Sequence, residues 1–240
     1  MTVVLVHGAF ADGSGWSGVI ERLQAANVPV RAIVNPLRGI TADSAYVASV
    51  FSQTPGRILA VGHSYGGAII TNAATNVGNV VGLVYVAAFA PDEGETLQDI
   101  EAGSTDSVLN AAIRPSHYPV GSGPETAVEL SIDAASFHDA FAGDLSGKDA
   151  AILCAAQRPV AAAAFGEKNG PAAWKNLPAW AVVATGDKAA GDKAAGADVV
   201  LSMAKRAKAQ IAEVEGSHVI MISQPQAVTD TIMEALQTVT

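Results

Sequence analysis

The segment Gly62-His63-Ser64-Tyr65-Gly66 fits the pattern G-x-S-x-G and stands directly between an apolar, β-branched run at 58–61 and the apolar stretch Ala68-Ile69-Ile70. A serine flanked by glycines at such a junction constrains the fold, because the turn from strand to helix is too sharp for Cβ atoms beside it. The hydroxyl of Ser64 is then expected to stand at the C-terminal edge of a sheet. Gly67 lets the following helix pack closely, and the first N–H groups of that helix face whatever the serine meets.

Short β-branched runs recur along the chain at 3–6, 30–34, 80–87, 180–184 and 211–214, with helical patterns between them. Strands separated by helices imply an α/β class with a mostly parallel six-stranded sheet flanked by helices. In the first intervening stretch Trp16, Val19, Ile20 and Leu23 recur at helical spacing, with Ser14 expected as the N-cap. After Ala87 the alternation stops until Trp180. The interruption, 91–178, opens on Asp92-Glu93-Gly94-Glu95 and carries helical patterns at 134–141 and 148–156. A structureless loop of that length is improbable in a compact fold, so 91–178 is expected to be a helical cap inserted into a core made of 1–90 and 179–240.

Composition limits the partners. Half of the residues are hydrophobic, and the formal net charge is −9. An acidic surface repels phosphate backbones and anionic headgroups, so no nucleic-acid partner is expected. The longest apolar stretch, 80–90 with Gly82 inside it, is shorter than the roughly 18 residues that cross a bilayer, so no membrane span is expected. The first residues lack the basic region and apolar length of a signal peptide, and the expected location is the cytoplasm. Cys154, the single cysteine, lies in an alanine-rich stretch and reads as a small buried hydrophobe.

A serine hydroxyl needs a base to become a nucleophile, and the base needs a carboxylate to fix its tautomer. Of the five histidines, His63 adjoins the serine and is expected to point away, His7 precedes the first loop, and His117 and His138 fall in the insertion. His218 follows the last apolar run across Glu215-Gly216-Ser217, which places it at the catalytic edge of an open α/β sheet. The acid is expected at the end of the preceding strand. Asp187 in Thr185-Gly186-Asp187 is favoured there, and the repeat Gly186-Asp187-Lys188-Ala189-Ala190, Gly191-Asp192-Lys193-Ala194-Ala195 gives Asp192 the same local context as the alternative. The backbone amides of Tyr65 and of Ala9, in the loop after the first strand, are the expected oxyanion donors, with Phe10 in reserve.

Gly13-Ser14-Gly15-Trp16-Ser17-Gly18 also matches G-x-G-x-x-G, but His7 to Asp12 separate it from its strand, and the next strand ends in Val34-Asn35 without a ribose-binding acid. A dinucleotide site is therefore not expected, and neither is a metal: histidine pairs at i, i+4 and carboxylate clusters with ligand spacing are lacking.

Taken together, Val3 to Gly8 with Ala9, Gly62-His63-Ser64-Tyr65-Gly66-Gly67, Ala87-Ala88-Phe89-Ala90-Pro91-Asp92, Gln157-Arg158-Pro159, Thr185-Gly186-Asp187-Lys188 and Ser217-His218 resemble the α/β-hydrolase superfamily. The closer likeness is to its branch of methylesterases, hydroxynitrile lyases and bacterial pyrethroid-type esterases. This resemblance implies Ser64, Asp187 and His218 as the triad, Ala9 and Tyr65 as oxyanion donors, and no cofactor. It also implies an acyl-enzyme route to cleavage of small apolar or aromatic carboxylic esters, by a monomer or homodimer. Lactone hydrolysis, cyanohydrin cleavage, or a barely catalytic ligand sensor are the alternatives on the same site. Against cyanohydrin cleavage, the lyases carry threonine and lysine where this chain has Gly8 and Val219. Tyr118, Phe137, Phe141, Phe165 and Trp174 are candidates to line an apolar pocket.

Overall fold

Runs such as Val3-Val4-Leu5-Val6 and Ile58-Leu59-Ala60-Val61 are apolar at every position, which suits strands covered by helices on both faces. The computed structural model describes residues 1–186 and 191–239. Its strands are β1 (Thr2–Val6), β2 (Val30–Ile33), β3 (Ile58–His63), β4 (Val80–Val86), β5 (Ile113–Pro119), β6 (Thr126–Ile132), β7 (Val160–Ala161), β8 (Ala179–Thr185) and β9 (Gln210–Glu215). The six runs read from the sequence are β1 to β4, β8 and β9. They form one six-stranded sheet in the order β2-β1-β3-β4-β8-β9, parallel throughout. Helices Ser17–Ala25, Ile40–Ser52, Tyr65–Ala73, Ala197–Arg206 and Pro225–Val239 flank it.

The first helix starts differently from the expectation. Asp12, not Ser14, is the capping side chain: its carboxylate accepts from Ser14 N at 2.7 Å and opens a 3-10 turn, Gly13–Trp16, that runs into Ser17–Ala25. A carboxylate is the stronger acceptor for free amides at a helix start.

Between β4 and β8 the chain forms the expected helices, Ala134–Phe141 and Gly147–Ala156 among them. It also forms something the sequence reading did not contain, a three-stranded antiparallel sheet in the order β5-β6-β7. Pro115 and Pro119 sit on β5, an edge strand of that sheet, where missing amide donors cost least. Cys154 is free and half-buried against the core. Among the described residues, no helix is long and apolar enough to cross a membrane.

The register of the large sheet brings the candidate residues together. Val6 pairs with Gly62, so the loop after β1 lies beside the turn after β3. Thr185 pairs with Glu215, so the turns after β8 and β9 are neighbours. Because all six strands run the same way, all four turns open on one edge.

Candidate active site

Ser64 sits at φ 52° and ψ −125°, a conformation that L-residues rarely adopt, between β3 and the helix Tyr65–Ala73. Such strain persists only where surroundings over-determine it, and here they do. Ser64 N donates to Val86 O at 3.3 Å, while Ser64 O accepts from Gly67 N at 2.9 Å and Phe89 N at 3.2 Å. A Cβ at Gly66 would lie 2.5 Å from Val6 O, so the turn closes only with glycine there.

The loop after β1 is fixed by His7. Its Nδ1 lies 3.0 Å from Gly8 O, which can only accept, so Nδ1 carries the hydrogen and Nε2 is free to accept from Asn35 N at 3.0 Å. Burial holds His7 below the usual histidine range and keeps it neutral for both bonds. Asn35 Nδ2 then donates to His7 O at 2.9 Å. The next residues, Ala9 and Phe10, are buried, and Phe10 has φ 59°, another left-handed position in a bulky residue. On the other side of the site Tyr65 leads its helix, so its amide belongs to the first turn, where amides lack intrahelical partners. Its hydroxyl donates to Asp43 Oδ2 at 2.8 Å, and burial, then the Asp43 charge, push the phenol far above its ordinary value.

His218 and Asp192 meet at the same edge. His218 Nδ1 lies 2.9 Å from Asp192 Oδ1 and 3.0 Å from Oδ2, and the two residues are 1% and 2% exposed. Asp192 Oδ1 also accepts from Ala194 N at 3.0 Å and Ala195 N at 2.9 Å. The favoured sequence candidate, Asp187, lies outside the described residues. The carboxylate on His218 is thus that of the second copy of the repeat, which the sequence kept as the alternative.

Two more residues brace the histidine. Asp144 of the inserted segment accepts from Ser217 N at 2.9 Å and from the Ser217 hydroxyl, fixing the turn before His218. His63, set aside in the sequence, packs on His218 with ring centroids 4.7 Å apart, and its Nε2 lies 2.9 Å from His218 O. The carbonyl only accepts, so Nε2 carries the hydrogen. Complete burial, then the neighbouring His218, hold His63 well below the usual histidine range. The remaining histidines do other work: His138 Nε2 is 3.0 Å from Leu145 O, and His117 is exposed on β5.

Ser64 and His218 share a tight cavity with Ala9, Phe89, Phe141 and Phe165. Of the aromatic candidates, Phe141 and Phe165 reach it, and Phe141 stacks on His218 with centroids 5.0 Å apart. Phe137 packs behind Phe141, Tyr118 lies under Arg38, and Trp174 Nε1 donates to Pro91 O at 3.0 Å. Val219 is buried at 1% exposure beside a neighbouring apolar pocket. Among the described residues, no group of three or more His, Cys, Asp or Glu is arranged to hold a metal ion.

A parallel sheet with a strained serine after β3, a carboxylate after β8 and, in contact with it, a histidine after β9 defines a class, and sequence comparison agrees with it. The model of the alpha/beta hydrolase family matches residues 3–231, and the chain belongs to that family. Curated protein sequences contain no match to it. Among solved structures it is similar to a pyrethroid hydrolase from Sphingobium faniae JZ-2, at 20% identity and a TM-score of 0.78 over 99% of this chain and 97% of that one. Polyneuridine aldehyde esterase aligns at 18% identity and a TM-score of 0.77 over 98% of each chain. An extracellular alpha/beta-hydrolase from a Paenibacillus species aligns at 20% identity and a TM-score of 0.74, again over 98% of each. At these identities the likeness is one of fold.

Proposed function

We propose that the chain is a serine hydrolase that cleaves small apolar or aromatic carboxylic esters through an acyl-enzyme. The observation that carries this reading is the buried contact between His218 Nδ1 and Asp192, with His218 lining the same cavity as a strained Ser64. A carboxylate accepts, so His218 Nδ1 keeps its hydrogen and Nε2 is left unprotonated, the tautomer a general base requires. In the proposed reaction His218 Nε2 takes the Ser64 proton as Oγ attacks the ester carbonyl. The amides of Ala9 and Tyr65 receive the developing oxyanion, each such donor being worth about 3–4 kcal/mol. The alcohol leaves with the proton from His218, and water, activated by the same histidine, frees the acid.

In this reading Asp192 takes the acid role expected of Asp187, and 91–178 acts as a cap over a core of 1–90 and 179–240. Apart from Ser64 and His218 the cavity is walled by apolar residues, with Phe89, Phe141 and Phe165 closing it in, which favours small acyl groups. Val219 offers no charge to a departing cyanide, which favours esters over cyanohydrins. Two of the structural neighbours, a pyrethroid hydrolase and an aldehyde esterase by name, support the same choice.

Turnover of p-nitrophenyl esters of increasing acyl length tests the proposal. The expected result is turnover that falls with acyl length and drops by at least ~10⁴-fold in Ser64→Ala, with folding retained. Undiminished turnover in Ser64→Ala overturns it. Ligand-dependent thermal stabilisation with negligible hydrolysis points instead to a sensor.

A further inference from the structure

The turn that carries Asp192 is laced to the inserted segment. Val108 N donates to Lys193 O at 2.9 Å, and Ser104 Oγ and Thr105 N donate to Asp198 at 2.6 and 2.8 Å. Closest to Asp192 itself, Ser107 Oγ lies 2.9 Å from Ala194 O, and Ala194 N donates to Asp192 Oδ1. Behind Ser107 stands Glu101, on the helix Leu97–Ala102, only 5% exposed, with Oε1 3.2 Å from Ser107 Oγ.

Counting hydrogens decides how this chain of contacts runs. Ser107 has one hydroxyl hydrogen, and Ala194 O, a carbonyl, can only accept it. Ser107 Oγ accepts from Leu109 N at 3.3 Å and has one lone pair left. Its contact with Glu101 therefore needs a hydrogen from Glu101. We infer that Glu101 is a positioning residue that works as a neutral carboxylic acid, donating to Ser107, which donates to Ala194 O and so holds the turn that seats Asp192.

The inference rests on the reading of Asp192 as the acid partner of His218. The surroundings of Glu101 favour its neutral form: burial first, and the Asp192 carboxylate with it, push its pKa up to about 7 against the opposing influence of Ser107 and His218. Asp192 and His218, with opposite effects, are the titratable groups acting on it from the elements it packs against. Lys193 adjoins Asp192 on the turn, Asp198 lies in the first turn of the helix Ala197–Arg206, and Asp106 lies on the segment of Glu101. When Glu101 ionises it becomes acceptor-only. It then competes with Ala194 O for the single hydrogen of Ser107 and adds a second negative charge near Asp192.

The test compares kcat/KM from pH 5.5 to 9 in wild type, Glu101→Gln and Glu101→Leu, with a carbon-13 NMR titration of the glutamate side-chain carboxyls. Glutamine donates from its amide at every pH. The expected wild type loses activity as pH rises through about 7, whereas Glu101→Gln keeps its neutral-pH activity to higher pH. Glu101→Leu is lowered about tenfold across the range with no comparable alkaline fall, as a loosened geometry would give. One carboxyl resonance, absent in Glu101→Gln, is expected to titrate near 7. A Glu101 resonance titrating in the ordinary glutamate range, or an alkaline fall unchanged in Glu101→Gln, overturns the inference. The NMR arm reads Glu101 whether or not the protein hydrolyses esters, so its failure is distinct from a failure of the esterase reading.

Discussion

Asp192→Asn isolates the contact on which the reaction depends. Asp192 Oδ1 accepts from two backbone amides, Ala194 N and Ala195 N, so an asparagine must keep its carbonyl oxygen there and turn its NH₂ toward His218. That NH₂ only donates, and His218 Nδ1 must become the acceptor. The ring proton moves to Nε2, and the histidine can no longer accept from Ser64. Loss of the tautomer costs ~10⁴ in kcat in the serine proteases where the same exchange is a reference case. At about 1.36 kcal/mol per decade this is about 5.4 kcal/mol of transition-state stabilisation. Steady-state hydrolysis of p-nitrophenyl acetate reads it directly, with Asp187→Asn as the control. A variant Asp192→Asn within tenfold of wild type, or an Asp187→Asn that falls by four decades instead, would refute the reasoning.

Other outcomes follow from the same geometry. A Cβ at Gly8 would lie 2.6 Å from Ser64 Cβ and 2.9 Å from His63 O, so Gly8→Ala should displace the oxyanion loop; kcat is expected to fall by about 10²-fold. Tyr65→Phe strips a hydrogen bond from the buried Asp43, whose carboxyl burial already raises, and should cost about 1–3 kcal/mol, read as a drop in Tm of roughly 2–4 °C per kcal/mol. His7 and His63 are buried and held below the ordinary value of 6.5, so below that pH the unfolded chain binds protons that the native state refuses. Unfolding free energies from urea titrations should therefore fall as pH drops from about 6.5 toward 5, by up to about 1.4 kcal/mol per pH unit for each histidine, and less steeply in His63→Gln.

Much of this arrangement was legible in the residues. Strands β1, β3, β4 and β8 announce themselves as β-branched apolar runs because helices bury them and no alternation is needed, whereas the edge strands β2 and β9, more exposed, show only their β-branched residues. Ser64 and His218 are legible because a strand end fixes where each must stand. The acid was harder: the repeat writes the same five residues twice, and local sequence cannot say which copy folds back on the histidine. In the structure it is Asp192 that meets His218, while Asp187 lies outside the described residues. The small sheet of β5 to β7 is not legible because Ile113-Arg114-Pro115-Ser116-His117-Tyr118-Pro119 is largely polar and carries two prolines, the usual signs of a loop. His63, Asp144 and Glu101 were invisible for a different reason. His63 and Asp144 act on partners far along the chain, and Glu101 reaches the Asp192 turn only through Ser107, across hydrogen bonds that have no spacing rule.

Intact-protein mass spectrometry after exposure to an alkyl phosphonate carrying a p-nitrophenyl leaving group tests the central claim most directly. One phosphonyl group per chain on the peptide containing Ser64, matched by one equivalent of released p-nitrophenol and absent in Ser64→Ala, is the expected result. Equal labelling of Ser64→Ala, or adducts only at other residues, would contradict a nucleophilic Ser64.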